Sequence, residues 1–338
     1  MLCALYFALR GASLAVLIRD HEAQARMTKY KAPSTKNKAQ AFVDSPARLK
    51  LSCYPVNHTG SNPKNKPQSR TVVVIPARFA STRLPGKALV DIAGKPMICR
   101  VAERAKGASN VDRVVVATDN QEIVEAVTAS GFETILTATT HASGTDRIAE
   151  VVRSIPEAQI IVNLQGDEPL ISPQTIERAV QRMEDEINSS EGAGIVTTWE
   201  PIESFEDLTN RDVVKVVVGE CERAIYFSRL PVPFPREAVA KHGSPDVAFL
   251  NERDLIKRYR KHTGLYVYRR DVLLDFASWP QTELEKFEGL EQLRALEHGV
   301  LIRVIEASSS SIGVDTPADL ERVRELISEG KFEVSGVR

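Results

Sequence analysis

The segment Ile-Pro-Ala-Arg-Phe-Ala-Ser-Thr-Arg-Leu-Pro-Gly-Lys, residues 75–87, gathers the cations Arg78, Arg83 and Lys87 around Ser81, Thr82 and Gly86. That mixture suits a polyphosphate. Glycine lets a loop bend back and present backbone N–H groups, arginine can clamp two oxygens, and lysine acts as a point charge. The spacing is neither that of a G-x-x-x-x-G-K-[ST] loop nor that of a G-x-G-x-x-G fingerprint. The plain alternative is a solvated surface loop. A second segment, Gln165-Gly166-Asp167-Glu168-Pro169, places a carboxylate at a strand end, where Mg²⁺ is commonly held by one or two carboxylates, waters and substrate phosphates. Asp315, in Gly313-Val314-Asp315-Thr316-Pro317, is the candidate for the second carboxylate. Both aspartates have a plain alternative as helix-cap residues. His141-Ala142-Ser143-Gly144-Thr145-Asp146-Arg147 opens a helix, and its hydroxyls and free N–H groups suit a base or phosphate edge as well as ordinary capping. Arg229, His262, Tyr266, Glu291 and Gln292 are scattered polar groups beside apolar patterns, and by themselves they read as structural.

The elements that must position these residues follow a βαβα rhythm from Thr71 onward. Thr71–Pro76 is a continuous β-branched run, as expected of a parallel strand buried on both faces. Pro96 reads as the first residue of a helix with Met97, Val101 and Ala105 inward. Arg113–Ala117 is a second strand, and Asp119 with Glu122 resembles a capping box for a helix ending at Gly131. Glu133–Leu136 is a strand, and Ile148, Val151, Val152 and Ile155 keep helical spacing. Gln159–Leu164 and Ile195–Thr198 are strands, separated by a helix that starts at Ser172-Pro173. The pattern predicts a doubly wound, mostly parallel α/β sheet with ligands at the carboxyl ends of its strands, where the cationic loop and the Gln165–Pro169 segment both lie. In the second half, Val213–Val218 and Arg223–Phe227 form a hairpin around Gly219, and Leu230–Pro235 is a proline-rich loop. Thr263–Tyr268 and Leu301–Glu306 are strands. Asp271–Ala277 and Glu283–Glu297 are helices, and Thr316-Pro317 caps a last one.

The chain has 338 residues and a formal net charge of −1, with 43% apolar and 26% charged residues. This is a globular composition that gives no indication of a bulk nucleic-acid or membrane binder. The charge is unevenly spread: residues 1–70 hold 12 Lys+Arg against 3 Asp+Glu, residues 71–338 hold 32 against 42. Residues 1–70 read as a basic extension, disordered over 31–70, and are either a targeting segment or a start assigned too early. The apolar run 1–18 is a poor signal and too short a span. Residues 71–330 read as the folded domain and 331–338 as a tail. Cys3, Cys53, Cys99 and Cys221 make no C-x-x-C pair, which disfavours a zinc site or disulfide framework and fits a reducing cytosol. Cys99 and Cys221 read as core thiols.

Eight segments in order, IPARFASTRLPGKALVDIAGKPMI, VATDN, HASGTDRIAE, NLQGDEPLI, VKVVV…YFSR, HTGLYVYR, LEQLRALEHG and GVDTPADLERVR, resemble the 3-deoxy-manno-octulosonate cytidylyltransferase (CMP-Kdo synthetase) family. The resemblance covers roughly residues 71–328, and R-L-P-G-K-x-L separates it from sialic acid cytidylyltransferases. It implies a nucleotidyltransferase fold with a smaller β-containing dimerisation and sugar-binding subregion. It also implies a Mg²⁺-dependent, cytoplasmic homodimer that joins the CMP part of CTP to 3-deoxy-manno-octulosonate (Kdo) for lipopolysaccharide assembly. The CTP contacts it implies are Ala77, Arg78, Ser81, Arg83, Lys87, Ser143, Gly144, Gln165 and Gly166. The implied Kdo contacts are Gln165, Arg229, His262, Tyr266, Glu291 and Gln292. Asp167 and Asp315 match the metal-binding carboxylates, and Arg78, Lys87, Asp167 and Asp315 carry the catalysis. Two other readings compete. One is a nucleotide-sugar glycosyltransferase, which commonly carries Asp-x-Asp where this chain has Asp167-Glu168-Pro169. The other is a non-catalytic nucleotide-binding module, disfavoured by the presence of both carboxylates.

Overall fold

A computed structural model describes residues 70–79, 84–189 and 192–330. The basic extension up to residue 69, Cys3, Cys53, Ser81, Thr82, Arg83 and the tail 331–338 lie outside the described residues.

The strands are β1 (Arg70–Ala77), β2 (Asp91–Ile92), β3 (Lys95–Pro96), β4 (Arg113–Thr118), β5 (Glu133–Leu136), β6 (Ala158–Asn163), β7 (Ile195–Pro201), β8 (Lys215–Val218), β9 (Ala224–Ser228), β10 (Arg260–Arg269) and β11 (Ile302–Glu306). The helices are α1 (Met97–Lys106), α2 (Gln121–Ala129), α3 (Gly144–Arg153), α4 (Pro173–Ile187), α5 (Phe205–Thr209), α6 (Arg236–His242), α7 (Pro245–Asn251), α8 (Arg270–Phe276), α9 (Glu283–Glu288), α10 (Gln292–Glu297) and α11 (Pro317–Ser328). The main sheet runs β11-β7-β10-β6-β1-β4-β5, with the β8–β9 hairpin joined through β10, and β2 and β3 form a separate ribbon. All pairings along the main path are parallel except those of β10, which is antiparallel to both β6 and β7. The amino end of β10 therefore lies beside the carboxyl ends of its neighbours.

The alternation of side chains along β1 explains the two layers. Val73 and Ile75 pack on one face with Ile98, Val101, Ile176 and Met183 of α1 and α4. Val72 and Val74 pack on the other with Ile148, Val152, Leu273 and Leu293 of α3, α8 and α10. This is the doubly wound arrangement expected from the continuous apolar runs. A smaller cluster of Ile92, Met97, Leu170, Val314, Leu320 and Val323 fastens α11 and the loop before it beside the start of α1.

Four local expectations are corrected. Asn120, rather than Asp119, caps α2, accepting from Ile123 N–H at 3.1 Å, while Asp119 pairs with the buried Arg147 guanidinium at 2.6 Å. Residues 283–297 form two helices, because Gly289 adopts φ 65°, a left-handed stop that suits a glycine. Cys221 is exposed in the β8–β9 turn, at φ 54°, because the hairpin reverses there, whereas Cys99 is buried as expected. Pro96 precedes α1 as its cap residue rather than opening it.

Candidate active site

Three loops meet at the carboxyl edge of the sheet. The first leaves β1 and carries Arg78 and Lys87; the second leaves β6 and carries Gln165 to Glu168; the third joins β11 to α11 and carries Asp315. Lys87 Nζ donates to Asp167 Oδ2 at 2.6 Å and to Asp315 Oδ1 at 2.7 Å. Burial acts to lower the Lys87 pKa, but the charges and hydrogen bonds of Asp167 and Asp315 outweigh it and hold the ammonium above its usual value. Val314 N–H donates to Asp167 C=O at 2.9 Å, tying the second loop to the third. Thr316 and Asp319 form a capping box that opens α11, and Asp315 N–H donates to Asp319 at 3.1 Å. The backbone at Asp315 is thus held by a helix start.

These residues fit a divalent cation. Two carboxylate oxygens from separate loops converge on one positive centre, now supplied by the Lys87 ammonium, and Mg²⁺ characteristically takes one or two carboxylates and completes its shell with water and phosphate oxygens.

Gln165 and Gly166 lie between this cluster and a concavity. A Cβ on Gly166 would stand 3.1 Å from both Pro76 O and Ile98 Cδ1, so a side chain there would press the loop away from β1. The concavity, of about 210 Å³, is lined by Gly144, Thr145, Asn163, Gln165, Tyr266 and Tyr268 together with residues 289–292. Glu291 accepts a hydrogen bond from Thr145 Oγ1 at 2.8 Å, which joins α3 to the start of α10. Gly289 ends α9 here, and that break turns Glu291 and Gln292 toward the cavity. Ser143 caps α3 and forms a capping box with Asp146, and Gly144 lies beside Pro76. Arg78 Nη2 donates to His141 C=O at 3.0 Å, so the described part of the cationic loop touches the start of the α3 segment.

The remaining polar residues fall at the same edge. His262 Nε2 lies 2.9 Å from Thr197 Oγ1, and its ring sits 5.2 Å from that of Tyr266 and 5.0 Å from that of Phe227. Arg229 Nε donates to Glu288 C=O at 2.8 Å and its Nη2 to Gly289 C=O at 3.2 Å, which places the guanidinium at the α9–α10 break. Burial raises the Tyr266 phenol well above its ordinary value, keeping it a neutral O–H donor. Burial also raises the Glu168 carboxyl to about 7, against the Ser311 hydrogen bond that favours its charged form. Asn163 and Tyr268 line the concavity without having been singled out as binding residues, and Thr145 joins them from the segment whose hydroxyls were expected to meet a ligand. Tyr268 carried a readable signal, since it lies two residues from Tyr266 on one strand and so shares its face.

Burial lowers the His262 imidazole to about 3. In the unfolded chain the ring takes up a proton near pH 6.5, so below that value the unfolded state binds more protons and stability falls with pH. The slope this one group adds reaches at most about 1.4 kcal/mol per pH unit. We expect His262→Gln to reduce the loss of stability between pH 7 and pH 5, measured by denaturant unfolding of both proteins at the two pH values. An equal loss in both would show that His262 is not the titrating group.

Residues 72–304 match the family described as Cytidylyltransferase. The protein named 3-deoxy-manno-octulosonate cytidylyltransferase from Geobacter sulfurreducens is 50% identical over 254 residues, covering 75% of this chain and 98% of that protein. The Escherichia coli protein of the same name is 44% identical, covering 77% and 97%. The solved structure of a CMP:2-keto-3-deoxy-manno-octonic acid synthetase complexed with CTP superposes with a TM-score of 0.68 at 44% identity, covering 77% of this chain and 99% of that one. With its three-loop edge, its doubly wound sheet and these relatives, the chain belongs to the 3-deoxy-manno-octulosonate cytidylyltransferase family.

Proposed function

We propose that this chain transfers CMP from CTP to Kdo and releases pyrophosphate, with Mg²⁺ held by Asp167 and Asp315. The observation that carries the reading is the meeting of Lys87 with both aspartates, beside a concavity lined by Gln165, Tyr266, Glu291 and Gln292 among others. The names of the relatives supply the substrates.

The anomeric hydroxyl of Kdo attacks the α-phosphorus of CTP. A new P–O bond forms as the bond to pyrophosphate breaks, and the hydroxyl proton is lost to solvent. Such transfer depends mostly on alignment and on neutralising charge. Arg78 and Lys87 offset the triphosphate, which otherwise repels an acidic sugar. The family resemblance adds Ser81 and Arg83, which lie outside the described residues, to the CTP contacts, and Ala77, Ser143 and Gly144 would meet the nucleotide from β1 and the start of α3. Bound Mg²⁺ would polarise the reacting phosphate and make the sugar hydroxyl a stronger nucleophile. Gln165 and Gly166 sit at the junction of nucleotide and sugar. Tyr266, Glu291 and Gln292 offer hydrogen bonds to sugar hydroxyls, with His262 as a neutral partner and Arg229 as the cation for the sugar carboxylate. Lys87 bonds both aspartates, and with a cation held by them its ammonium would be free to pair with the phosphates.

Activity as a homodimer in the cytoplasm belongs to the same proposal. Exposed Ile225, Leu230, Phe234 and Phe287, at 60%, 62%, 62% and 89%, supply apolar surface for an interface. No helix among the described residues is long and apolar enough to cross a membrane. The test is pyrophosphate release from CTP with a panel of octulosonic and nonulosonic acids, with and without Mg²⁺. We expect metal-dependent release with Kdo; CTP binding without turnover on any acid would favour the non-catalytic nucleotide-binding module.

A further inference from the structure

Asp167 and Asp315 come from loops far apart in the chain, and two carboxylates repel unless something holds them together. The structure supplies a network that the reaction itself does not use. The Ser311 hydroxyl donates to Glu168 Oε2, and Ser311 N–H donates to Glu200 Oε1 at 3.0 Å. Glu200 sits on β7 at 2% exposure, and its Oε2 lies 2.8 Å from Lys261 Nζ on β10. A Cβ on Gly313 would stand 3.4 Å from Glu168 Oε1, so the backbone between Ser311 and Asp315 lies against that carboxylate. One serine therefore bridges the residue after Asp167 to the sheet, four positions before Asp315.

We propose that Ser311, Glu168 and Glu200 form a latch that sets the separation of Asp167 and Asp315, making Ser311 and Glu168 positioning residues for the divalent cation. The inference rests on the assignment of the two aspartates as cation ligands. Without the Ser311 hydroxyl, the Asp315 loop keeps Val314 N–H as its direct hydrogen bond to the Asp167 loop. The Glu168 carboxylate also loses its donor while facing Glu200. Mg²⁺ accepts oxygens only near 2.0–2.1 Å in a nearly octahedral shell, so a small widening of the gap removes one ligand.

The test is Mn²⁺ binding to the full-length protein in the presence of CTP, followed by the electron paramagnetic resonance signal of the free ion, with Mg²⁺-dependent turnover in parallel. Ser311→Ala is expected to weaken Mn²⁺ binding about tenfold, the scale of losing a partner behind a metal ligand, and to raise the Mg²⁺ needed for half-maximal turnover while leaving the Kdo KM unchanged. Glu168→Ala should weaken binding to a similar degree, and the double variant no more than either, because both break one contact. Wild-type Mn²⁺ affinity in Ser311→Ala, or effects that multiply in the double variant, would overturn the latch. Asp167→Asn serves as the reference. If it binds Mn²⁺ as the wild type does, the cation-ligand assignment fails, which is distinguishable from failure of the latch alone.

Discussion

Replacing Asp167 by asparagine is expected to cut turnover by about a hundredfold or more at saturating CTP, Kdo and Mg²⁺, the scale of losing one strong electrostatic contact to a transition state. The change keeps size and shape and removes one of the two carboxylate charges. The fold should tolerate it. Asp167 lies in a loop after β6, its side chain is 31% exposed, and its ion pair with Lys87 is partly screened by solvent. A kcat loss with an unchanged far-ultraviolet circular dichroism spectrum therefore isolates the role in chemistry. Pyrophosphate release measures it, and a rate within threefold of wild type at saturating Mg²⁺ would remove Asp167 from the cation site.

The second large effect is expected of Lys87→Ala. The ammonium is the meeting point of both aspartates, at 2.6 and 2.7 Å, and their charges keep it protonated despite its burial. Its loss should raise the CTP KM about tenfold and lower kcat about tenfold, because a lysine on a phosphate acts both in binding and as charge builds on the leaving group. A further signature separates this from general damage. Without CTP, the variant should bind Mn²⁺ more tightly than the wild type, since no side-chain cation competes for the two carboxylates. An effect confined to the Kdo KM would place Lys87 on the sugar rather than on the phosphates.

Much of the scaffold could be read in advance because strong local signals agreed with the tertiary packing. The β-branched run at Thr71–Pro76 became an interior strand of the sheet, between β6 and β4, since it is buried on both faces. Thr316-Pro317 started α11, since a capping hydroxyl and a proline at the first helical position act within one turn. Signals failed where two nearby residues could serve the same purpose. Asp119 and Asn120 could each cap α2, and the buried Arg147 drew Asp119 away. The break at Gly289 was hidden because the residues on either side favour a helix, while one left-handed backbone angle is enough to end it.

The sequence by itself determined the chemical inventory: a cationic loop after the first strand, an aspartate after a buried strand, a second aspartate before the last helix, and a family resemblance that named the substrates. Short-range order sufficed for these, because a strand end or helix cap depends on neighbours a few residues away. Only the tertiary structure decided that Lys87 reaches Asp167 and Asp315 together, that Tyr266, Glu291 and Gln292 share one concavity, and that Ser311 braces the aspartates through Glu168 and Glu200. Those meetings depend on the antiparallel insertion of β10 and on the docking of α11. Both are set by the packing of apolar faces far along the chain, which no local pattern encodes.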